Sequence, residues 1–204
     1  MGGLVLSEGL RERRRAASRA ITVEVALRLF SERGFENVTV ADICSAAEIA
    51  PRTFFRYFAT KEEVLAEPSR EMAVRIREFF ATAPLELDDI AVLTLALHDL
   101  AEHVIEHSDQ LRGFHRASAV RVSPYVRLSD RERQLAVDLV NRAVPEGPEG
   151  PVLIPDWRTR LMVAQGVAAF RVWMEDALGP DAPADPQAHL SQILDLGAPA
   201  GALG

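Results

Sequence analysis

Three helix-start signals crowd between Thr39 and Thr60. "TVAD" opens at Thr39, whose hydroxyl can accept from exposed amides, with Asp42 three residues on to reach back. "AEIAPR" brings Pro51, which suits the first turn of a helix and not its middle. "TKEE" repeats the capping pattern from Thr60 to Glu63. The segment must therefore fold as short helices separated by tight breaks. One runs from Thr39 with Ile43 and Ala46 facing inward, a second of about two turns starts near Ala50, and another follows Thr60, leaving Phe58 and Ala59 in the break.

A longer helix precedes them. From Arg13 to Arg33 the residues Ala17, Ile21, Val25 and Leu29, with Ala26 and Phe30, recur at intervals of three and four and mark one face. Gly34, just past the last turn, can take a left-handed conformation, and Phe35 can cover the helix end.

The stretch "APRTFFRYFATKEEVL" sets Phe54, Phe55, Tyr57 and Phe58 among Arg52, Arg56 and Lys61. Charges exclude a wholly buried segment, and rings exclude a wholly solvated one. On a helix starting at Pro51, Phe54 and Phe58 lie four apart and can pack on Ile43 and Phe30, while Arg52, Thr53 and Arg56 turn outward. Two short helices behind a longer one describe a helix-turn-helix, whose second helix enters a DNA major groove. Tyr57 and Lys61, at the end of the element, can each reach a phosphate oxygen. Phe55 reads equally as core or as groove wall.

The run "ALRLFSERGFENVTVADICSAAEIAPRTFFRYFATKEEVL" resembles the TetR family of bacterial transcriptional regulators over about 45 residues. It follows that family's helix, glycine, aromatic, threonine, short helix, turn, aromatic-rich recognition helix and terminal lysine without a gap. The resemblance implies an all-α chain, two copies pairing through the last two long helices, and a variable ligand-binding domain. It also implies phosphate contacts from Thr39, Tyr57 and Lys61, and base-facing positions for Arg52, Thr53 and Arg56, with Pro51 and Phe55 on the same surface. Two positions depart from the pattern. Glu48 stands where the family usually has glycine in the turn, and Phe55 where it usually has tyrosine, so one phosphate hydroxyl is missing and Arg56 could replace it. Arg52, at the start of the recognition helix, is expected to grip a guanine edge, with phosphate contact as the rival reading.

Charge divides along the chain. Residues 1–61 carry ten cations against seven acids, +3, and the remainder carries −10. Only one end is therefore expected to approach a polyanion. The tract "RERRRAASR", residues 11–19, reads either as an arm along DNA or as a solvated helix start. A single cysteine, Cys44, excludes an internal disulfide or a cysteine zinc site. The opening "MGGLVLSEGL" lacks an export pattern and no apolar run reaches membrane-spanning length, so a cytoplasmic location without membrane contact is expected.

Beyond residue 62 the readings concern control. In residues 86–107, Ile90, Leu93, Thr94, Leu97, Ala101, Val104 and Ile105 fall along one face with His98 on its flank. His103 and His107, spaced four apart beside Glu102 and Glu106, are read as a solvated surface in preference to a metal site. His115, beside Arg116 and Phe114, faces either a ligand cavity or water. "VPEGPEGPVLIP", from Val144 to Pro155, must be a loop. After it a helix runs from the N-cap Asp156 to a stop at Gly179. Only Gln165, Gly166 and Arg171 interrupt its apolar run from Leu161 to Met174, which argues for a partner helix from a second copy approaching over Gly166, Ala168 and Ala169. Gln165 and Trp173 line either a pocket or that interface, and a buried Gln165 would need a partner. "DPQAHLSQILDL" is the expected final helix.

Together these define an all-α protein. Residues 1–62 form a helix-turn-helix DNA-binding domain with a flexible arm over 1–10, residues 63–197 a helical ligand-binding and dimerisation domain, and 198–204 a disordered tail. The expected function is a homodimeric regulator, a repressor released from a pseudo-palindromic operator by an unknown small-molecule effector, with His98, His115, Gln165 and Trp173 as candidate ligand contacts. An activator, or a regulator without an effector, is the alternative. A nonspecific architectural DNA binder would need a larger basic surface than +3. No catalytic set, cofactor or metal is expected, since His98 and His115 have no evident nucleophile or ligand spacing beside them.

Overall fold

The computed structural model describes the backbone of residues 2–119, 125–143 and 152–197, with side chains over 12–115, 130–143 and 152–196. Among the described residues the order is α1 (Gly2–Arg33), a 3₁₀ turn (Phe35–Asn37), α2 (Val40–Ala46), α3 (Pro51–Tyr57), α4 (Lys61–Val64), α5 (Glu67–Thr82), α6 (Asp89–Glu106), α7 (Ser108–Ala119), α8 (Tyr125–Asn141), α9 (Trp157–Ala177) and α10 (Pro186–Gly197). No strand occurs among them, as an all-α chain requires. Residues 1–69 and 109–121 form one compact unit, and residues 70–108 and 122–204 another.

In the first unit α1 packs against α2, the 3₁₀ turn and α4. The helix begins at Gly2, so the stretch expected as an arm is helical and "RERRRAASR" lies well inside α1. Its packed face differs from the expected one at the amino-terminal end. Ile21 is 52% exposed and Ala17 is exposed, whereas Thr22 is wholly buried. A polar residue can take that place because the Thr22 hydroxyl donates to the Ser18 carbonyl at 2.7 Å. Further along, Val25, Ala26, Leu29 and Phe30 are buried as the periodicity requires. Gly34 ends the helix with φ 79°, a value that favours glycine, and Phe35 lays its ring 4.8 Å from that of Phe30.

The later segment 109–121, which falls within the span expected for ligand binding, belongs to this unit. Its α7 buries Leu111 and Phe114. A Cβ at Gly113 would meet the Leu27 carbonyl oxygen at 2.5 Å and the Ser31 Cβ at 2.8 Å, so only glycine permits this approach of α7 to α1.

The second unit is arranged around α9, which packs against α6, α8 and α10. Asp156 caps α9 by accepting from the Thr159 amide at 2.8 Å. Asp88 caps α6 in the same way, accepting from Ala91 at 2.7 Å. The buried face of α6 is Val92, Leu93, Ala96, Leu97, Leu100, Ala101 and Val104. Ile90 and Ile105, expected on that face, are 55% and 37% exposed; they stand at the two ends of the helix. Gly166 is small for a reason internal to the protomer. A Cβ there would meet the Leu93 and Leu97 side chains at 3.1 and 3.2 Å, so the glycine seats α9 on α6 rather than admitting a partner helix. Arg142 pins the end of α8, donating to the Leu87 carbonyl at 2.9 Å and pairing with Asp89.

Residues 144–151 of the expected loop lie outside the described residues, as does the expected tail from 198. Leu153, within the described part, exchanges two hydrogen bonds with the Asn141 side chain, at 2.8 and 2.9 Å.

The two close approaches differ in what resists a methyl group. Gly113→Ala, facing a backbone carbonyl, is expected to destabilise the protein by about 1–3 kcal/mol. Gly166→Ala, facing the methyl ends of two leucine side chains at longer range, 3.1 and 3.2 Å, should cost less. Thermal unfolding of the two variants compares them, and equal losses would contradict this ranking.

Candidate nucleic-acid interface

Local chemistry builds the short helices. Thr39 and Asp42 form a full capping box at α2: the Thr39 oxygen accepts from the Asp42 amide at 3.1 Å, and the Asp42 carboxylate accepts from the Thr39 amide at 2.8 Å. The Thr39 hydroxyl also donates to that carboxylate. These bonds hold the Asp42 carboxyl below its ordinary range, so the box stabilises the fold above that range and weakens as pH falls through the lowered value. Ile43 and Cys44 are buried on α2, while Ala46, expected inward, is exposed at the last turn.

The turn to α3 passes through Glu48 with φ 53°, the one positive φ at a non-glycine residue among those described. The left-handed conformation that glycine would adopt freely is thus held by an L side chain. Pro51 then opens α3 at its first turn. The second expected box does not close. Thr60 makes no side-chain cap, and Glu63 accepts instead from the Ala59 amide at 2.8 Å, one residue earlier. With that bond displaced, α4 lasts a single turn, and a new helix, α5, begins at Glu67 with Pro68 in its first turn.

The sides of α3 separate as the spacing demands. Phe54 and Phe58 are 0% and 1% exposed, their ring centroids 5.6 Å apart. Pro51, Arg52, Phe55 and Arg56 are exposed, with Thr53 and Tyr57 half-buried. Phe55, at 57% exposure, stands in water with its ring edge-on to Phe54, so it belongs to the outer surface. The Arg56 guanidinium donates to the Tyr57 hydroxyl at 3.2 Å and lies 5.1 Å from the centre of its ring. Tyr57 is further hydrogen-bonded to Ser18 of α1, and this bond, then the one from Arg56, lowers its hydroxyl's pKa against the opposing effect of burial.

Two cations of this unit have structural work. Lys61 donates to the carbonyls of Phe35 and Val38 at 2.8 and 2.7 Å, with its ammonium 4.4 Å from the centre of the Phe35 ring. It thereby clamps the chain that leads into α2, leaving one ammonium N–H for another acceptor. Arg19, from the arginine tract, pairs with the buried Glu67 and lies 4.9 Å from the centre of the Phe58 ring. The tract holding Ser18 and Arg19 reads from sequence as an arm along DNA or a solvated helix start; their contacts with Tyr57, Glu67 and Phe58 are not legible there, because those partners are distant in sequence.

The four candidate ligand contacts are placed differently. His98 turns both ring nitrogens toward α10, Nδ1 to the Gln187 amide oxygen at 2.7 Å and Nε2 to the Ser191 hydroxyl at 3.5 Å. Trp173 is fully buried within one protomer, its indole N–H donating to the Pro186 carbonyl at 2.7 Å, so it is a core residue and walls neither an open pocket nor an interface. Gln165 is exposed in the protomer and needs no buried partner. His115 is half-buried on α7.

A short helix seated on two buried rings, presenting arginines and an aromatic outward behind a capped companion helix, defines a helix-turn-helix DNA-binding protein. Residues 23–67 match the family model of bacterial regulatory proteins, tetR family. The chain is 29% identical over 174 residues to the HTH-type transcriptional regulator TcmR of Streptomyces glaucescens, covering 80% of this chain and 74% of that one. It is also 29% identical over 142 residues to the repressor KstR2 of Mycobacterium tuberculosis, covering 66% and 70%. In fold it is similar to Thermus thermophilus FadR, a TetR-family repressor solved with lauroyl-CoA, with a TM-score of 0.53 and 20% identity over 91% of this chain and 99% of that one. Residues 23–67 thus carry the DNA-binding domain of the tetR family of bacterial regulatory proteins, and the curated relatives are transcriptional regulators.

Two substitutions test the geometry. Lys61→Met should lower stability by about 1–2 kcal/mol in the absence of DNA, because two carbonyls lose a charged donor; unchanged melting would remove the clamp. Glu48→Gly should raise stability by about 0.5–1 kcal/mol, relief of the left-handed strain outweighing the greater freedom of the unfolded chain. A lowered melting temperature would show that the Glu48 side chain contributes more than its backbone costs.

Proposed function

We propose that this regulator is a repressor that binds a pseudo-palindromic operator as a homodimer and is released by a small molecule. The observation that carries the reading is the outer surface of α3, where Arg52, Phe55 and Arg56 are exposed on a helix whose opposite residue Phe54, together with the cap residue Phe58, is buried. Arg52, one residue into the helix, suits bidentate recognition of a guanine edge, and Phe55 suits apolar contact with a thymine methyl. Arg56, already oriented by Tyr57, suits a neighbouring base or phosphate. Pro51 and Thr53 complete the base-facing surface. Tyr57 and the remaining N–H of Lys61 serve phosphates, while Thr39 reaches one only by releasing Asp42.

In this reading residues 1–62 are the reading head and 63–197 the ligand-binding and dimerisation part. The second copy would pack on α9 and α10, where Leu161 and Val172 are 50% and 46% exposed and Leu196 is 88% exposed. The capture of lauroyl-CoA by FadR supports a small-molecule effector. A polar effector reaching His98 would exchange one of its bonds to Gln187 or Ser191, and His115 is the other polar candidate. An effector that prefers dimers with their recognition helices spread apart shifts the population from the DNA-fitting form. The break between α4 and α5 is the proposed lever. This function requires no catalytic chemistry.

Selection of genomic fragments by the purified protein at moderate salt, followed by footprinting, tests the proposal, since specific binding outlasts salt that removes nonspecific contacts. A single palindromic footprint is expected. Arg52→Ala should lose about 1–3 kcal/mol of discrimination between operator and random DNA, whereas Tyr57→Phe should weaken both about equally. Undiminished operator preference in the arginine variant would overturn the base-reading assignment.

A further inference from the structure

The last turns of α6 read His103, Val104, Ile105, Glu106, His107, two imidazoles at i and i+4 with a carboxylate beside them. That spacing places two histidines on one face of a helix, as helical zinc sites require. Sequence alone favours a solvated surface, and Glu102, Glu106 and His107 are exposed as that reading expects. His103 is half-buried, with Glu71 and Arg75 of α5 and Glu106 and His107 of α6 close enough to influence its charge. The two imidazole centroids lie 4.3 Å apart, and one ligating atom from each of His103, Glu106 and His107 lies within 4.8 Å of the others.

The orientation of His107 supplies an independent argument. Its Nδ1 lies 2.9 Å from the His103 carbonyl oxygen. A carbonyl can only accept, so Nδ1 carries the proton, and in the neutral ring the lone pair sits on Nε2. Metal-binding histidines are held in this way, one ring N–H donating to a backbone carbonyl while the other nitrogen faces the ion. The neighbouring cation does not dominate the site, because Arg75 is gripped by Asp99 through two bonds of 2.7 and 3.0 Å.

We propose that His103, Glu106 and His107 form a three-ligand site for a divalent transition-metal ion at the carboxyl end of α6. Imidazole and carboxylate donors suit zinc, nickel or copper rather than magnesium or calcium. Zinc–nitrogen bonds are about 2.0–2.1 Å, which puts tetrahedral donors about 3.4 Å apart. Glu106 is exposed, and the exposed His107 is already held against His103, so closing from the present spacing calls mainly for movement of exposed side chains. A bound ion would join the last turn of α6 to His107, the residue that caps it.

The test uses full-length protein without a histidine tag, titrated with Zn²⁺ by calorimetry and with Co²⁺ by visible absorption. One ion per chain is expected, with a raised melting temperature that a chelator reverses. The double variant His103→Gln with His107→Gln should bind at least about tenfold more weakly and lose the thermal shift. Glu106→Gln, which leaves both imidazoles, should bind more weakly than the parent and report on the site should the double variant fold poorly. Absence of saturable binding, or parental affinity in a double variant whose circular dichroism is unchanged, would overturn the proposal. The second result would place the ion elsewhere, as at His189 and Asp176.

Discussion

A helix of seven residues is too short to persist by itself in water, because nucleation costs more than so few hydrogen bonds return. The recognition helix therefore depends on burying Phe54 and Phe58, a contribution of about 1.5–3 kcal/mol for each ring. Everything exposed on α3 inherits its position from those rings. Arg52 and Arg56 are aimed by a backbone that the buried side chains hold in place. The arrangement also explains the crowding of aromatic residues beside arginines: seven residues and their cap must supply both a core side and an exposed, charged side.

Charges near the reading head serve the fold before they serve a ligand. Lys61 joins two carbonyls of the chain entering α2, and Arg19 joins Glu67 while covering Phe58. Such pairs lie partly out of water, where a charged hydrogen bond contributes more than an exposed ion pair. The modest basic excess of residues 1–61 thus overstates the charge free to meet DNA. Recognition must rely on a few well-placed side chains, which favours a sequence-specific protein over a broad polyanion binder.

In the second unit, α9 illustrates how one apolar run can answer several demands. Trp173 and Phe170 meet with their rings tilted and centroids 5.0 Å apart, Gly166 accommodates Leu93 and Leu97, and Leu161 and Val172 remain exposed. The sequence shows that almost every side of this helix is apolar. Which side meets α6, α8 or α10, and which stays open, depends on the rotation of the packed helix, a quantity that composition does not carry. For that reason Gly166 was misread as a partner contact, and Trp173 as a wall of a pocket or interface.

What the sequence determined by itself was local. The Thr39 and Asp42 box, the Pro51 start, the Gly34 stop, the Asp156 cap and the opposed sides of α3 all follow from interactions within about four residues, which chain order specifies. The family pattern was legible because it consists of such signals in fixed order. Tertiary structure decided the rest: the membership of α7 in the first unit, the clamp by Lys61, the shift of the buried face of α1 toward Thr22, the bonds of His98 to α10, and the half-burial of His103. Each joins or sorts residues through neighbours distant along the chain. Their meeting is set by which surfaces exclude water together, and no local spacing encodes that choice.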